Sequence, residues 1–347
     1  MELTKNRRKF MKTATLAGFG LGLAPNAMAF PSINLEKNEK RVGIIGLDTS
    51  HSVAFTKAFN AEDAASDLGG FKVTAAYPYG SRDIESSAKR IPGYIEEIKK
   101  YGVSITDSIK ELLENVDYVL LETNDGRLHL EQALAVFEAG KPVFIDKPIA
   151  ASLAHTLAIF NASKKYNVPV FSSSSLRYIE NGMAIRNGKI GKVLGADTYS
   201  PASLEATHPD LYWYGIHGVE ILYTVMGTGC ETVSRTFTTG TDVVVGTWKG
   251  DRIGTFRGIR SGKRGYGGTA FGEDGISDIG PYGGYRPLLV EIVNFFDSGK
   301  APVSPEETIE MFTFMQAADE SKKQNGKAVS LDGVLAKAKK EASKIKI

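Results

Sequence analysis

Cysteine is almost absent: Cys230 stands alone in 347 residues. No intrachain disulfide can form, so nothing in the fold depends on an oxidising compartment. A single cysteine inside a mostly apolar run reads as core filler, not as a nucleophile. Net charge is nearly absent as well, at +2. That excludes the basic footprint of a nucleic-acid binder and gives no cue to an acidic partner. The lysines that do cluster, in 5–12 and 337–346, sit at the two ends and read as solvated termini. Long apolar runs are missing too. The one at Thr13–Ala24 falls short of the ~20 residues a membrane helix needs, so no span is expected in the mature chain. What remains, 42% hydrophobic and 24% charged residues, is ordinary for a globular protein. The length suits about two domains at roughly 100–200 residues each.

The first residues read as an address. Asn6-Arg7-Arg8-Lys9-Phe10-Met11-Lys12 resembles the twin-arginine export signature, and Ala27-Met28-Ala29 fits a small-x-small cleavage site. Residues 1–29 are therefore expected to be a signal peptide and are set aside from the fold. Residues 30–37 read as a polar linker. The twin-arginine route moves folded proteins to the periplasm, which agrees with a chain that needs no disulfide.

From residue 38 strand and helix alternate. Apolar runs at Val42–Ile45, Phe71–Tyr77, Val103–Ile105, Tyr118–Glu122 and Pro142–Ile145 read as strands. Helical patterns lie between them, at Val53–Phe59, Ser87–Ile91, Ser108–Leu113 and Leu130–Ala139. This pattern predicts an α/β domain over 38–150, a Rossmann-type doubly wound parallel sheet covered on both faces. Ligands then sit beyond the carboxyl ends of the strands. Attention falls on the loops 46–52, 77–83, 123–129 and 146–149.

Asp146-Lys147-Pro148 resembles the Glu-Lys-Pro motif of the glucose–fructose oxidoreductase, inositol dehydrogenase and MocA family. Thr123-Asn124-Asp125-Gly126-Arg127-Leu128-His129 is similar to that family's Thr-Pro-Asn-x-x-His loop, and Trp213-Tyr214-Gly-Ile-His217 to its Asp-x-Gly-x-His helix. The resemblance implies a nicotinamide dinucleotide bound by Thr123, Asn124, His129, Asp146 and Lys147. Lys147 and His217 become the catalytic pair. Arg177, Tyr178, Trp213, Tyr214 and His217 are expected to face the substrate.

Three departures stand out. The first turn, Gly46-Leu-Asp48-Thr49-Ser50-His51, keeps one of the three glycines that let backbone N–H groups approach a pyrophosphate. Asp48 and His51 take the other two places, while Thr49, Ser50 and Ser52 supply hydroxyls and a helix start. After the second strand no carboxylate is present for a ribose diol. Ser81 and Arg82 stand there instead, and read either as a 2′-phosphate site, leaning to NADP over NAD, or as a polar surface turn. Trp213 replaces the motif's aspartate. Arg177 reads equally well as a residue that fixes the interdomain contact.

Residues 151–347 are expected to form an α+β domain with an open, mostly antiparallel sheet, used in the family for homo-oligomers. Thr241–Trp248 and Arg252–Ile259 read as a hairpin, Leu288–Asp297 as a helix, and Ser304-Pro305-Glu306-Glu307 as a capping box. The stretch 261–285, rich in glycine and carrying Tyr266, Tyr282 and Tyr285, reads as a sugar-stacking loop or a strand pair. His208, Asp210, His217 and Glu220 suggest metal ligands, but Pro209 forces an extended turn between the first two, and no metal is expected. The sequence thus points to an exported NAD(P)-dependent oxidoreductase for a sugar or polyol. Its alternative is a non-redox enzyme or carbohydrate-binding protein on the same scaffold with dinucleotide binding lost.

Overall fold

The structure, a computed structural model, describes residues 40–347. The expected signal peptide and linker lie outside the described residues.

The first domain opens with β1 (Lys40–Ile45), α1 (Ser50–Asn60) and β2 (Phe71–Tyr77). It continues through α2 (Glu85–Ala88), α3 (Ile91–Lys99), β3 (Ser104–Ile105), α4 (Ile109–Asn115) and β4 (Tyr118–Leu121). Then come α5 (His129–Glu138), β5 (Val143–Ile145), α6 (Leu153–Tyr166) and β6 (Val170–Ser172). All six strands are parallel, in the order β3-β2-β1-β4-β5-β6. Strand order reverses between β1 and β4, which opens a crevice at their carboxyl ends.

Alternation along each strand divides the core. Val42, Ile44, Leu120 and Phe144 face one side, with Phe55 and Phe59 of α1 and Ile98 of α3. Ile45, Val119, Leu121, Val143 and Ile145 face the other, against α4, α5 and α6. Each fully buried Leu, Ile or Phe contributes roughly 1.5–3 kcal/mol by leaving water, so a sheet apolar on both faces holds firmly.

The second domain contains α7 (Glu180–Arg186), β7 (Val193–Pro201), α8 (Ile216–Met226), β8 (Cys230–Phe237), β9 (Thr241–Trp248) and β10 (Arg252–Ile259). β11 (Gly267–Gly272), β12 (Gly275–Asp278), α9 (Arg286–Ser298), α10 (Pro305–Lys323), β13 (Val329–Ser330) and α11 (Leu331–Ala342) complete it. Its sheet runs β12-β11-β7-β10-β9-β8-β13, and only the β7–β10 pair is parallel. α8 and α10 cover one face. The other leaves Leu194, Ile253, Phe271 and Ile276 exposed.

The stretch 261–285 resolves into the β11–β12 hairpin at the sheet's edge followed by a tyrosine-bearing segment. One element crosses the expected boundary. α9 returns to the first sheet, where Leu288, Ile292 and Phe295 join the core with Phe55 and Phe171. Sequence order puts this helix in the second domain, but its apolar stripe is buried in the first. Among the described residues no helix is long and apolar enough to cross a membrane.

Candidate functional site

The crevice is shaped by the first turn. Gly46 has φ +93°, and a Cβ there would lie 2.5 Å from the Thr123 backbone nitrogen. Only glycine fits so close an approach of β1 to the loop after β4. Asp48, in the second glycine's place, is fully buried. Its Oδ2 accepts from the Ser81 N–H and its Oδ1 from the Asn124 N–H, both at 2.9 Å. The carboxylate thus ties three strand-end loops together. Burial outweighs those two bonds and pushes its pKa up to about 6.

Thr49 caps α1, its Oγ1 accepting from the His51 N–H at 3.5 Å. His51 turns inward. Its Nδ1 lies 2.7 Å from Asp146 Oδ2 and 3.9 Å from Glu122 Oε2. Phe55 stacks on its ring, and Tyr285 meets it edge-on. Burial alone would raise Asp146, yet the neighbouring His51 holds it below its ordinary value. Glu122 is driven far the other way, by burial and then by the charge of Asp146. Neither of its carboxylate oxygens has a hydrogen-bond partner.

One cavity of about 240 Å³ runs from the start of α1 to the second domain. Thr49, Ser50, His51, Asn124 and Lys147 line it on the first domain's side, with Ser86 and Arg90 at its flank. Trp213, Tyr214 and His217 line the far side, with Ser175, Leu176, Tyr266, Tyr282 and Tyr285. A π-helical turn over Leu211–Gly215 precedes α8 and carries Trp213 and Tyr214; such turns recur at functional sites. His217 Nδ1 lies 2.7 Å from Ser174 Oγ, so Nε2 is the ring nitrogen left for the cavity. Burial, then the charge of Lys147, lowers the His217 pKa well below its ordinary value and keeps the imidazole neutral. Lys147 Nζ sits 5.8 Å from the centre of the Tyr214 ring. The arrangement offers a neutral base, a fixed cation and aromatic walls in one enclosure.

Several residues expected here are elsewhere. Thr123 is buried behind Gly46. His129 is buried between the carbonyls of Thr123 (2.6 Å) and Ile149 (3.2 Å), where it staples loops and does not line the cavity. The Ser81 hydroxyl donates to Asp83 and accepts from the Ile84 N–H, so it is engaged by its own turn. Arg82 is exposed and outside the cavity.

Arg177, expected either to face the substrate or to fix the interdomain contact, is absent from the cavity lining. Its guanidinium is buried against Glu220 and, at 2.7 Å, Glu307. That pairing also takes the carboxylate that the capping box needs, so only its Ser304 half forms. Tyr178 packs with the core beneath α9. The metal set around His208 does not assemble. His208 Nε2 accepts from the Gly126 N–H (3.1 Å), while Asp210 pairs with Arg235 (2.8 Å) and Lys322 (2.6 Å). Glu122, Ser86, Arg90 and Ser175 carried no signal in the sequence, since each belongs to an ordinary strand or helix pattern.

Comparison with known proteins agrees with this geometry. The model of an oxidoreductase family with an NAD-binding Rossmann fold matches residues 19–174. Inositol 2-dehydrogenase of Rhodococcus erythropolis is 27% identical over 164 residues, 46% of this chain and 43% of that protein. 1,5-Anhydro-D-fructose reductase of Ensifer adhaerens is 32% identical over 122 residues, 33% of this chain and 36% of that protein. The chain thus spans under half the length of these curated relatives. A probable dehydrogenase from Thermotoga maritima shares the fold with a TM-score of 0.69 at 22% identity, over 85% of this chain and 99% of that one. Scyllo-inositol dehydrogenase from Lactobacillus casei, solved with NAD(H) and scyllo-inositol, gives 0.69 at 15% identity, over 84% and 99%. At such identities the likeness establishes the fold alone. The likeness to the Gfo/Idh/MocA oxidoreductase family with its NAD-binding Rossmann fold thus lies in residues 19–174, under half of the chain.

Proposed function

We propose that the protein is an exported NAD(P)-dependent oxidoreductase acting on a hydroxyl-bearing carbon of a sugar or polyol. One observation carries this reading: a single cavity joins the N-terminal turn of α1 to Lys147 and His217. The residues present fit a dinucleotide. The Gly46 approach is kept, and the start of α1 offers backbone N–H groups and the Ser50 hydroxyl to an anion. Arg90 is beside them, anchored by its bond to the Asp48 carbonyl at 3.4 Å. Asp48 and His51 are less obstructive than their types suggest, because each turns its side chain onto the protein. When bound, the nicotinamide supplies the acceptor or donor of a hydride.

The chain's own residues supply the rest. Neutral His217 takes the proton of the reacting hydroxyl in oxidation and returns it in reduction. The Lys147 ammonium stabilises negative charge on that oxygen. Trp213, Tyr214, Tyr266 and Tyr282 line the cavity with aromatic surface suited to the C–H faces of a sugar and to excluding water. Exposed Arg82 suits a 2′-phosphate and so favours NADP. Export in folded form would carry the cofactor inside its site, which calls for tight binding and recycling by coupled oxidation and reduction. The apolar open face of the second sheet supports a homo-oligomer.

The test is a turnover assay with NAD and with NADP against a panel of aldoses and polyols, repeated with His217→Asn. Loss of general base or acid catalysis is expected to lower kcat by roughly 10²–10⁴ with dinucleotide affinity unchanged. No dinucleotide-dependent turnover of any polyol or aldose would sink the reading. Trp213, standing where the family motif has aspartate, favours the second reading, a non-redox or carbohydrate-binding protein. That reading requires sugar binding without a dinucleotide.

A further inference from the structure

The hydride and proton transfers of the redox reading use none of the side chains of His51, Glu122 and Asp146. We propose that these three bind a divalent first-row transition ion at the inner wall of the cavity. The proposal goes beyond the oxidoreductase reading and does not rest on it.

Placement comes first. Glu122 follows β4 directly, Asp146 follows β5, and His51 lies in the first turn of α1. All three therefore meet at the carboxyl ends of the strands, where folds of this kind hold their ligands. Each offers one donor atom, and the three atoms lie within 4.8 Å of one another. His51 Nδ1 is 2.7 Å from Asp146 Oδ2 and 3.9 Å from Glu122 Oε2. Around an ion with bonds of ~2.1 Å, tetrahedral donors lie about 3.4 Å apart. The two observed separations bracket that value, and small side-chain rotations reach it.

A second observation is independent of the clustering. Glu122 is fully buried, and both of its oxygens lack a partner. A buried carboxyl left without a partner loses its hydration and gains nothing in return. Asp146 shows the contrast, since it accepts from the Lys147 N–H at 2.8 Å as well as meeting His51. The orphaned carboxyl faces the His51 imidazole, and an ion between them satisfies it.

Donor chemistry selects the ion. One imidazole and two carboxylates suit Zn²⁺ or Mn²⁺. Ca²⁺ and Mg²⁺ prefer oxygen alone, and without a thiolate neither Cu(I) nor an iron–sulfur cluster is served. Three protein donors leave a fourth position for water or a substrate oxygen. His51 lines the cavity with Lys147 and puts that position within reach of its contents.

The full chain, stripped with chelator, is titrated with ZnCl₂ and with MnCl₂ in the absence of any dinucleotide, by calorimetry and elemental analysis. One ion per chain is expected. Glu122→Gln, nearly the same in shape, is expected to weaken binding by more than the roughly 10–100-fold that loss of an outer-shell partner costs. Circular dichroism confirms that the variant folds; should it not, His51→Gln serves the same comparison. Absence of saturable binding in the parent overturns the proposal, as does unchanged affinity in the variant. Because no dinucleotide is present, the outcome is separable from success or failure of the redox reading.

Discussion

Replacing Asp48 with asparagine probes the most unusual residue of the first turn. In the folded chain burial holds this carboxyl at about 6, against an ordinary 3.8. The native state therefore binds its proton more tightly than the unfolded state does. With more protons bound in the native state, stability falls as pH rises from about 3.8 to 6, and the whole loss is present above that window. The difference corresponds to about 3 kcal/mol. Asparagine is neutral like the protonated acid but accepts through one oxygen only, so either the Ser81 or the Asn124 N–H loses its partner, at a cost of about 1–3 kcal/mol at every pH. Asp48→Asn should therefore be less stable than the parent below pH 4, and should gain on it by about 3 kcal/mol between pH 4 and pH 7.5. Urea unfolding followed by tryptophan fluorescence at several pH values measures this change, and the contributions of all other groups cancel. A stability difference between variant and parent that stays constant from pH 4 to 7.5 refutes the reasoning. It would mean that burying the charge carries no cost beyond that of the protonated form.

Three further outcomes follow from the same structure. Gly46→Ala combines a left-handed backbone with a Cβ placed 2.5 Å from the Thr123 nitrogen. Backbone strain of that kind alone costs about 1–3 kcal/mol, so a large drop in thermal unfolding temperature is expected. Arg177→Met leaves Glu220 buried with its charge uncompensated. A loss of about 3–5 kcal/mol in urea unfolding is expected for a broken buried pair. His217 stays neutral well below its ordinary pKa. The kcat for alcohol oxidation should accordingly show no His217 titration between pH 6 and 8, and a limb centred near 6.5 would contradict the assignment.

Much of the fold was legible because period and punctuation agreed. Phe71–Tyr77, Thr241–Trp248 and Arg252–Ile259 form the strands that their apolar and β-branched content predicts. Ser304 with Pro305 starts α10 as its capping chemistry requires. α9 shows the limit. Its stripe was plain, yet a stripe does not say which sheet will cover it.

The site was legible in the same uneven way. Lys147, Asn124, Trp213, Tyr214 and His217, all in motifs, do line one cavity. Thr123 and His129 sit in a matched motif too, yet they hold loops from inside. A motif records residue type and spacing, and the inward or outward turn of a side chain depends on partners distant in sequence. Glu122 was read only as the end of a strand. Its burial beside His51 and Asp146 joins positions 71 and 24 residues away.

The account stands most directly on whether this chain binds a nicotinamide dinucleotide. Natively purified protein is denatured and the released nucleotide identified by absorbance and mass spectrometry, and the stripped, refolded chain is titrated with NADH and NADPH. The account predicts one dinucleotide per chain, and weaker binding when Ser50→Leu fills the start of α1. No released nucleotide and no binding of either form would contradict it.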